Sequence, residues 1–167
     1  MISPNQEKLS RAAIIVSGFD FGYVVDRAIK AGMPADEAPA ALSELKEFLL
    51  QCAALPDTDL SPQSQRCDDL WHEFIVSDTR AYFRFCEAVY GHYLHHDGVT
   101  LSAEALDRAR QNTIEVFGLA QTDDVAACGK VAACGKVAAC GKVAACGKVA
   151  ACGKVTDGVA LLQAHAV

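Results

Sequence analysis

Positive charge is scarce in most of this sequence. The chain of 167 residues has 15 Lys and Arg against 21 Asp and Glu. Five of the lysines lie in one repetitive segment, residues 125–154, so the remainder has 10 basic and 21 acidic residues, a formal charge of −11. Binding to a phosphate backbone needs clustered Lys and Arg. The charge balance therefore argues against nucleic acid as a partner.

Long apolar runs are also missing. Residues 1–11 are polar and mixed in charge, and the run AAIIV that follows is shorter than the apolar core of a signal peptide and far shorter than a membrane span. We therefore expect a cytoplasmic protein without membrane association. Because thiols stay reduced in that compartment, the eight cysteines indicate burial, metal binding or redox chemistry rather than a disulfide framework.

Alternating β patterns of useful length are absent before residue 119, and helical spacing takes their place. The sequence predicts an all-α protein, a small bundle of four to five short helices. We divide the chain into an N-terminal segment (1–18), a helical domain (19–119) and a low-complexity tail (120–167) that we expect to be disordered. The helical part is long enough to bury a core unaided.

Capping residues and apolar spacing place the individual helices. The first predicted helix is 19–31, which stops before Gly32, and the second is 35–54, with Pro39 in its first turn. The third runs from its N-cap Ser61, with Pro62 at N1, to about Val76. The fourth is capped by Asp78 or Thr79 and ended by Gly91, and the fifth runs from its cap Ser102 to Phe117, followed by Gly118. Within 35–54, one apolar stripe is formed by Leu42, Leu45, Leu49 and Cys52.

The segment 125–154 consists of five identical copies of VAACGK. On a helix, six residues advance about 240° net, so equivalent side chains would spiral around the axis without forming a face. A strand would keep its faces constant, because six is a multiple of two. A hexapeptide β-helix needs about three copies per coil, and five copies give fewer than two coils. A disordered tail is therefore the expected state.

The densest chemical signal is WHEFIVSDTRAYFRFCEAVYGHYLHH, which holds four of the five histidines. On one helix, Asp68, Trp71, His72 and Ile75 share a face, and on the next helix Tyr82, Phe85, Cys86 and Val89 share another. Gly91 ends the second helix, and His95 and His96 follow.

Three interpretations of this cluster are open. Imidazole, thiolate and carboxylate groups form a ligand set for Zn²⁺ or another soft transition metal, with His72, Cys86, His95, His96 and Asp68 as candidates. A nucleophilic pair of Cys86 and His72 is the second interpretation, although no CxxC or HExxH motif specifies either chemistry. The third is a packed core, in which Trp71 is an anchor, Cys86 a small buried hydrophobe and the histidines satisfied hydrogen-bonding groups.

The stretch SPQSQRCDDLWHEFIVSDTRAYFRFCEAVYGHYLHH resembles the glycine-rich domain-containing protein-like family over roughly residues 20–118. The matching positions are Asp68, Trp71, His72, Ile75, Thr79, Tyr82, Phe85, Cys86, Gly91, His95 and His96. The linker between Ile75 and Thr79 is one residue longer than the family pattern, and Cys67 replaces a valine. The resemblance implies a characteristic His/Cys site and a Cys- and Gly-rich tail. It implies no RNA binding for a chain this acidic that lacks an RNA-recognition motif.

The repeats carry five thiols, Cys128, Cys134, Cys140, Cys146 and Cys152. Each has a lysine two residues further on, which favours the thiolate. Three interpretations stay open: a thiol string that wraps a soft metal, a substrate for cysteine modification, or a tolerated duplication.

Together these features predict a non-enzymatic helical binding or interaction module with a protein partner. Its characteristic residues are Trp71, His72, Cys86, His95 and His96. The alternative is a metal- or redox-handling protein that uses the WH…C…HH cluster, the repeat thiols or both. We assign no catalytic residues.

Overall fold

The structure is a bundle of α-helices. A computed structural model describes residues 4–97, 102–120, 125 and 129–130. Its elements are α1 (Pro4–Gly18), α2 (Gly22–Lys30), α3 (Ala38–Ala54), α4 (Gln65–Ser77), α5 (Thr79–Tyr90), β1 (His96–Asp97), α6 (Ala103–Phe117) and β2 (Gly129–Lys130). The predicted all-α class is confirmed, but the described ranges contain six helices, so the predicted count of four to five is wrong.

The additional helix is α1, which lies in the N-terminal segment 1–18, where a polar stretch and the short apolar run AAIIV did not lead us to predict a helix. Ala12 and Val16 are one turn apart on α1, and both are buried. Their face packs against α3 and α5. A stripe this narrow leaves large apolar residues such as Ile14 exposed, so the apolar positions of α1 have no clear helical period in the sequence.

Helix α4 lies at the centre of the bundle and packs against α2, α3 and α5. Its Trp71 and Phe74 are fully buried. Phe74 belongs to a cluster of aromatic rings with Phe19, Phe21 and Phe85, whose centroids lie 4.8 to 6.1 Å apart. Because three helices pack against α4, the core fixes the backbone from which its other residues project.

The predicted start of α4 at Ser61 is wrong. Ser64 caps the helix, and its side chain accepts a hydrogen bond from the backbone N–H of Cys67. The backbone N–H of Ser61 instead donates to Oγ1 of Thr113 on α6, at 2.8 Å. That contact spans 52 residues of sequence, so local capping rules do not reveal it.

Helices α2 and α3 each begin three residues after the predicted starts at 19 and 35, whereas the predicted caps of α5 and α6 are confirmed. Asp78 rather than Thr79 caps α5, accepting from the N–H of Ala81, and Ser102 caps α6. Gly91 and Gly118 end these two helices in left-handed conformation, at φ of 76° and 62°. Glycine adopts this conformation without the steric cost that a Cβ atom brings.

Two short strands are the only β-structure in the described ranges. Strands β1 and β2 pair antiparallel, with His96 opposite Lys130 and Asp97 opposite Gly129. Gly129 and Lys130 belong to the first VAACGK copy, and Val125 at its start is buried. The predicted disorder of the tail otherwise falls outside the residues that the structure describes. None of the described helices has the length and hydropathy needed to cross a membrane.

Candidate functional site

Asp68 and His72 begin the site on helix α4. They lie one turn apart on the face that also carries Trp71, and His72 Nδ1 is 3.4 Å from Asp68 Oδ2. The Asp68 side chain is 2% exposed, and that of His72 is 14% exposed. Helical spacing therefore places a buried carboxylate beside an imidazole that reaches the surface.

His96 reaches the same carboxylate from the segment after α5. Its Nε2 lies 2.8 Å from Asp68 Oδ1, and its side chain is fully buried. The centroid of the His96 ring lies 4.1 Å from that of the His72 ring and 4.6 Å from that of the Trp71 ring, and both ring pairs are tilted, with interplanar angles of 46° and 53°. Each oxygen of Asp68 thus faces one imidazole, and the two imidazoles lie against each other.

Tyr82 fixes the segment that carries His96. Its hydroxyl donates a hydrogen bond to the backbone carbonyl of Leu94 and accepts one from Trp71 Nε1 at 3.3 Å. Tyr82, Trp71 and Leu94 are all buried. Because Leu94 is two residues before His96, this chain of hydrogen bonds ties the histidine to α4 and α5.

The electrostatics of the site favour a neutral His72. Burial lowers the pKa of His72, and the adjacent His96 ring lowers it further, while Asp68 and Asp69 oppose the shift. The neutral imidazole is the form that binds metals. The second ring nitrogen of His72, Nε2, is buried and has no hydrogen-bond partner among the residues described.

Asp68, His72 and His96 together have the geometry of a metal-ligand group. One ligand atom from each lies within 4.8 Å of the other two. Tetrahedral Zn²⁺ holds nitrogen and oxygen ligands at about 2.0–2.1 Å, which sets the ligand atoms about 3.4 Å apart. Binding of an ion would therefore require the three side chains to adjust to that spacing.

A cleft of about 330 Å³ lies beside His72, between one face of α4 and the end of α2 with the turn after it. Its lining includes three carboxylates, Glu37, Asp69 and Glu73, and one cation, Arg66. Arg66 is paired with the carboxylate of Glu44, and Glu73 is paired with Arg27. With Glu37 and Asp69 also in its lining, the cleft is acidic, which raises the local concentration of cations.

The structure does not bring Cys86 or His95 into this group, although both were candidate ligands. Cys86 is buried, and burial raises the pKa of its thiol to about 11. A thiol with that pKa is protonated at neutral pH and a poor nucleophile. His95 precedes His96 in the sequence and is half-buried, but it does not belong to the group of three residues whose ligand atoms lie close together.

Four of the remaining predicted site residues, Trp71, Ile75, Tyr82 and Phe85, are buried in the core. The fifth, Gly91, is exposed and ends α5. The five repeat thiols fall outside the described residues.

Sequence reasoning missed the hydroxyl bridge of Tyr82 and the polar lining of the cleft. The lining had a visible signal, since Gln65, Asp69 and Glu73 follow one another at four-residue spacing along α4. Such spacing marks one side of a helix. The bridge had none, because a sequence does not reveal which carbonyl a tyrosine will reach.

Comparison with protein-family models gives a match over residues 11–122, to the UCP032817-like family. The expected glycine-rich domain-containing protein-like family is therefore wrong, although the matched range includes the whole WH…C…HH stretch. That motif resemblance rested on eleven scattered positions, whereas the family match extends from the second half of α1 to the end of α6. No curated protein and no solved structure matches the chain.

Proposed function

We propose that this chain, which belongs to the UCP032817-like family, is a non-enzymatic helical binding module whose Asp68, His72 and His96 hold a divalent transition-metal ion such as Zn²⁺. The observation that carries this proposal is the convergence of three ligand atoms within 4.8 Å. Two come from one face of α4, and the third comes from a segment 28 residues away.

His72 faces Asp68 through Nδ1, and its buried Nε2 calls for a further partner. Buried polar atoms in proteins nearly always have a partner, and one without a protein partner indicates a bound ion or water. Two adjacent imidazoles on one carboxylate are also a poor arrangement for protonation, since a second positive charge would repel the first. A metal ion accepts a lone pair from each of the two neutral rings and adds only one centre of positive charge.

Three protein ligands leave a coordination position open. His72 is the ligand that also lines the cleft, so the open position is reached from that side. The cleft volume is at the lower end of the range for ligand pockets. We infer that it receives one side chain or small group of a protein partner, whose donor atom completes the coordination of the ion.

The test uses the full-length chain with the five repeat cysteines, Cys128, Cys134, Cys140, Cys146 and Cys152, changed to serine. Zinc binding is measured by competition with a chromophoric chelator under reducing conditions. We expect one equivalent of Zn²⁺ per chain. His72→Gln and His96→Gln should each weaken binding by at least about 100-fold, since even residues that only orient metal ligands contribute 10–100-fold.

His92→Gln is the matched control, because His92 lies in the same segment and is exposed. It should bind zinc as the parent does. Absence of binding in the parent, or equal binding by all three histidine variants, would overturn the proposal. The natural chain, measured in parallel, reports how much additional metal the repeat thiols take up.

A further inference from the structure

The first copy of the repeat is joined to the helical domain at its two ends. Val125, its first residue, is 3% exposed. Gly129 and Lys130, its last residues, pair as β2 with His96 and Asp97 of β1. Strand β2 also packs against α6. The copy therefore contacts the strand that carries the third ligand of the candidate metal site.

We propose that β1 is an acceptor for one VAACGK copy, that docking of a copy holds His96 in its position, and that the five copies are interchangeable occupants. The docking itself stands on the pairing and on the burial of Val125. Its effect on metal binding rests on the proposed function.

Interchangeability follows from the sequence of the repeat. Strand register is normally fixed, because a shift moves side chains into positions where they do not fit. Here a shift of six residues returns a valine, a glycine and a lysine to the same places, since all five copies are identical. The backbone bonds to β1 do not depend on side chains, so each copy offers the same contacts.

Loop length is the only difference between the copies. Six residues, 119–124, connect the cap of α6, Gly118, to the first copy, and twelve would connect it to the second. Closure probability falls with about the 3/2 power of loop length, so the second copy docks roughly threefold less often than the first. By the same scaling, copies two to five together contribute about two fifths of the total docking weight.

This arithmetic predicts that damage to one copy is buffered by the others. In Val125→Thr, a buried methyl group of the first copy is replaced by a hydroxyl of similar shape. In an antiparallel pair only alternate residues donate across the ladder, so the readout is the amide of β1, His96 or Asp97, that donates to β2. Its hydrogen exchange, followed by NMR in metal-free protein, should speed up only about twofold, because other copies take over. With Thr at all five valines, Val125, Val131, Val137, Val143 and Val149, protection of this amide should be lost.

Two results would overturn the inference. If Val125→Thr loses as much protection as the five-valine variant, the copies are not interchangeable. If the five-valine variant keeps full protection, docking of the repeat does not hold β1. Exchange at amides in the middle of α3 is the internal control, and it should be equal in all chains.

Zinc affinity separates this inference from the proposed function. In the serine-substituted chain, the five-valine variant should bind Zn²⁺ more weakly than its parent, while Val125→Thr should stay close to the parent. If no chain binds zinc, the proposed function fails and hydrogen exchange still decides the docking. If all chains bind zinc equally and exchange is unchanged, the docking fails and the metal site stands.

Discussion

Replacing Tyr82 with phenylalanine removes one oxygen atom from the centre of the hydrogen-bond chain that positions His96. The hydroxyl accepts from Trp71 Nε1 and donates to the carbonyl of Leu94. Because all three residues are buried, the change leaves two buried polar groups without their partner. Each such group costs about 1–3 kcal/mol, so we expect Tyr82→Phe to destabilise the fold by about 2–6 kcal/mol.

Two other tyrosines provide a graded comparison. The Tyr90 hydroxyl donates a single bond to the carbonyl of Leu49, at 2.9 Å, so Tyr90→Phe should cost about 1–2 kcal/mol. Tyr93 is half-buried against the ring of Phe83. Tyr93→Phe, an exchange of the same two residue types at a less buried position, should change stability by less than about 0.5 kcal/mol.

Urea unfolding under reducing conditions, followed by helical circular dichroism and by the fluorescence of the single tryptophan, measures the three variants. With a slope near 2 kcal/mol per molar urea, a loss of 3 kcal/mol lowers the midpoint by about 1.5 M. Tyr82→Phe should also weaken zinc binding, because the segment before His96 is released. A stability of Tyr82→Phe within about 0.5 kcal/mol of Tyr93→Phe would refute the positioning role of this hydroxyl.

Three further predictions concern other parts of the fold. Burial raises the pKa of Glu44, but its hydrogen bonds with Arg66 and Ser64 and the charge of Arg66 outweigh that effect and lower it. The ionised Glu44 therefore stabilises the fold above the ordinary pKa of 4.5, and this contribution is lost as pH falls through the lowered value. Glu44→Gln should cost about 1–2 kcal/mol at pH 7 and progressively less as pH falls below 4.5; in urea titrations, a loss that does not diminish with falling pH would contradict this. Three cysteines of the helical domain are buried, namely Cys52, Cys67 and Cys86. Mass spectrometry after iodoacetamide treatment at neutral pH should therefore find them alkylated only in denaturant. Rapid alkylation of Cys86 in the native chain would support the thiol-enzyme interpretation instead. The buried hydroxyl of Thr113 accepts a hydrogen bond from the N–H of Ser61 and donates one to the carbonyl of Ser61 or Ala109. Thr113→Val should therefore lower the free energy of unfolding by about 1–3 kcal/mol, measured by thermal or urea unfolding. The control Gln111→Ala, at an exposed site, should lower it by less than about 0.5 kcal/mol.

Local chemistry made the middle of the fold predictable. Asp78, Gly91, Ser102 and Gly118 are capping residues whose effect depends only on their own backbone neighbours. They mark helix ends in the sequence as they do in the structure. The start of α4 was misplaced because Ser61 and Pro62 have the same local signature as a cap, and only the distant Thr113 shows that Ser61 has another partner.

The candidate site was predictable as a set of residues but not as an arrangement. Helical spacing already placed Asp68 and His72 on one face. The choice between His95 and His96, and the exclusion of Cys86, depend on how the segment after α5 folds back over α4. That path is set by the hydroxyl of Tyr82 and by the pairing of β1 with the first repeat. Both are long-range contacts, and the sequence carries no local signal for either.

The most direct test of the central claim is X-ray absorption at the zinc edge, on the one-to-one complex of the chain whose five repeat cysteines are serines. We predict that the zinc ion has nitrogen and oxygen neighbours at about 2.0–2.1 Å, including two imidazoles in the parent and one in His72→Gln. Sulfur at about 2.3 Å would place the ion at a core cysteine instead. That result, or an unchanged spectrum in His72→Gln, would contradict a site built from Asp68, His72 and His96.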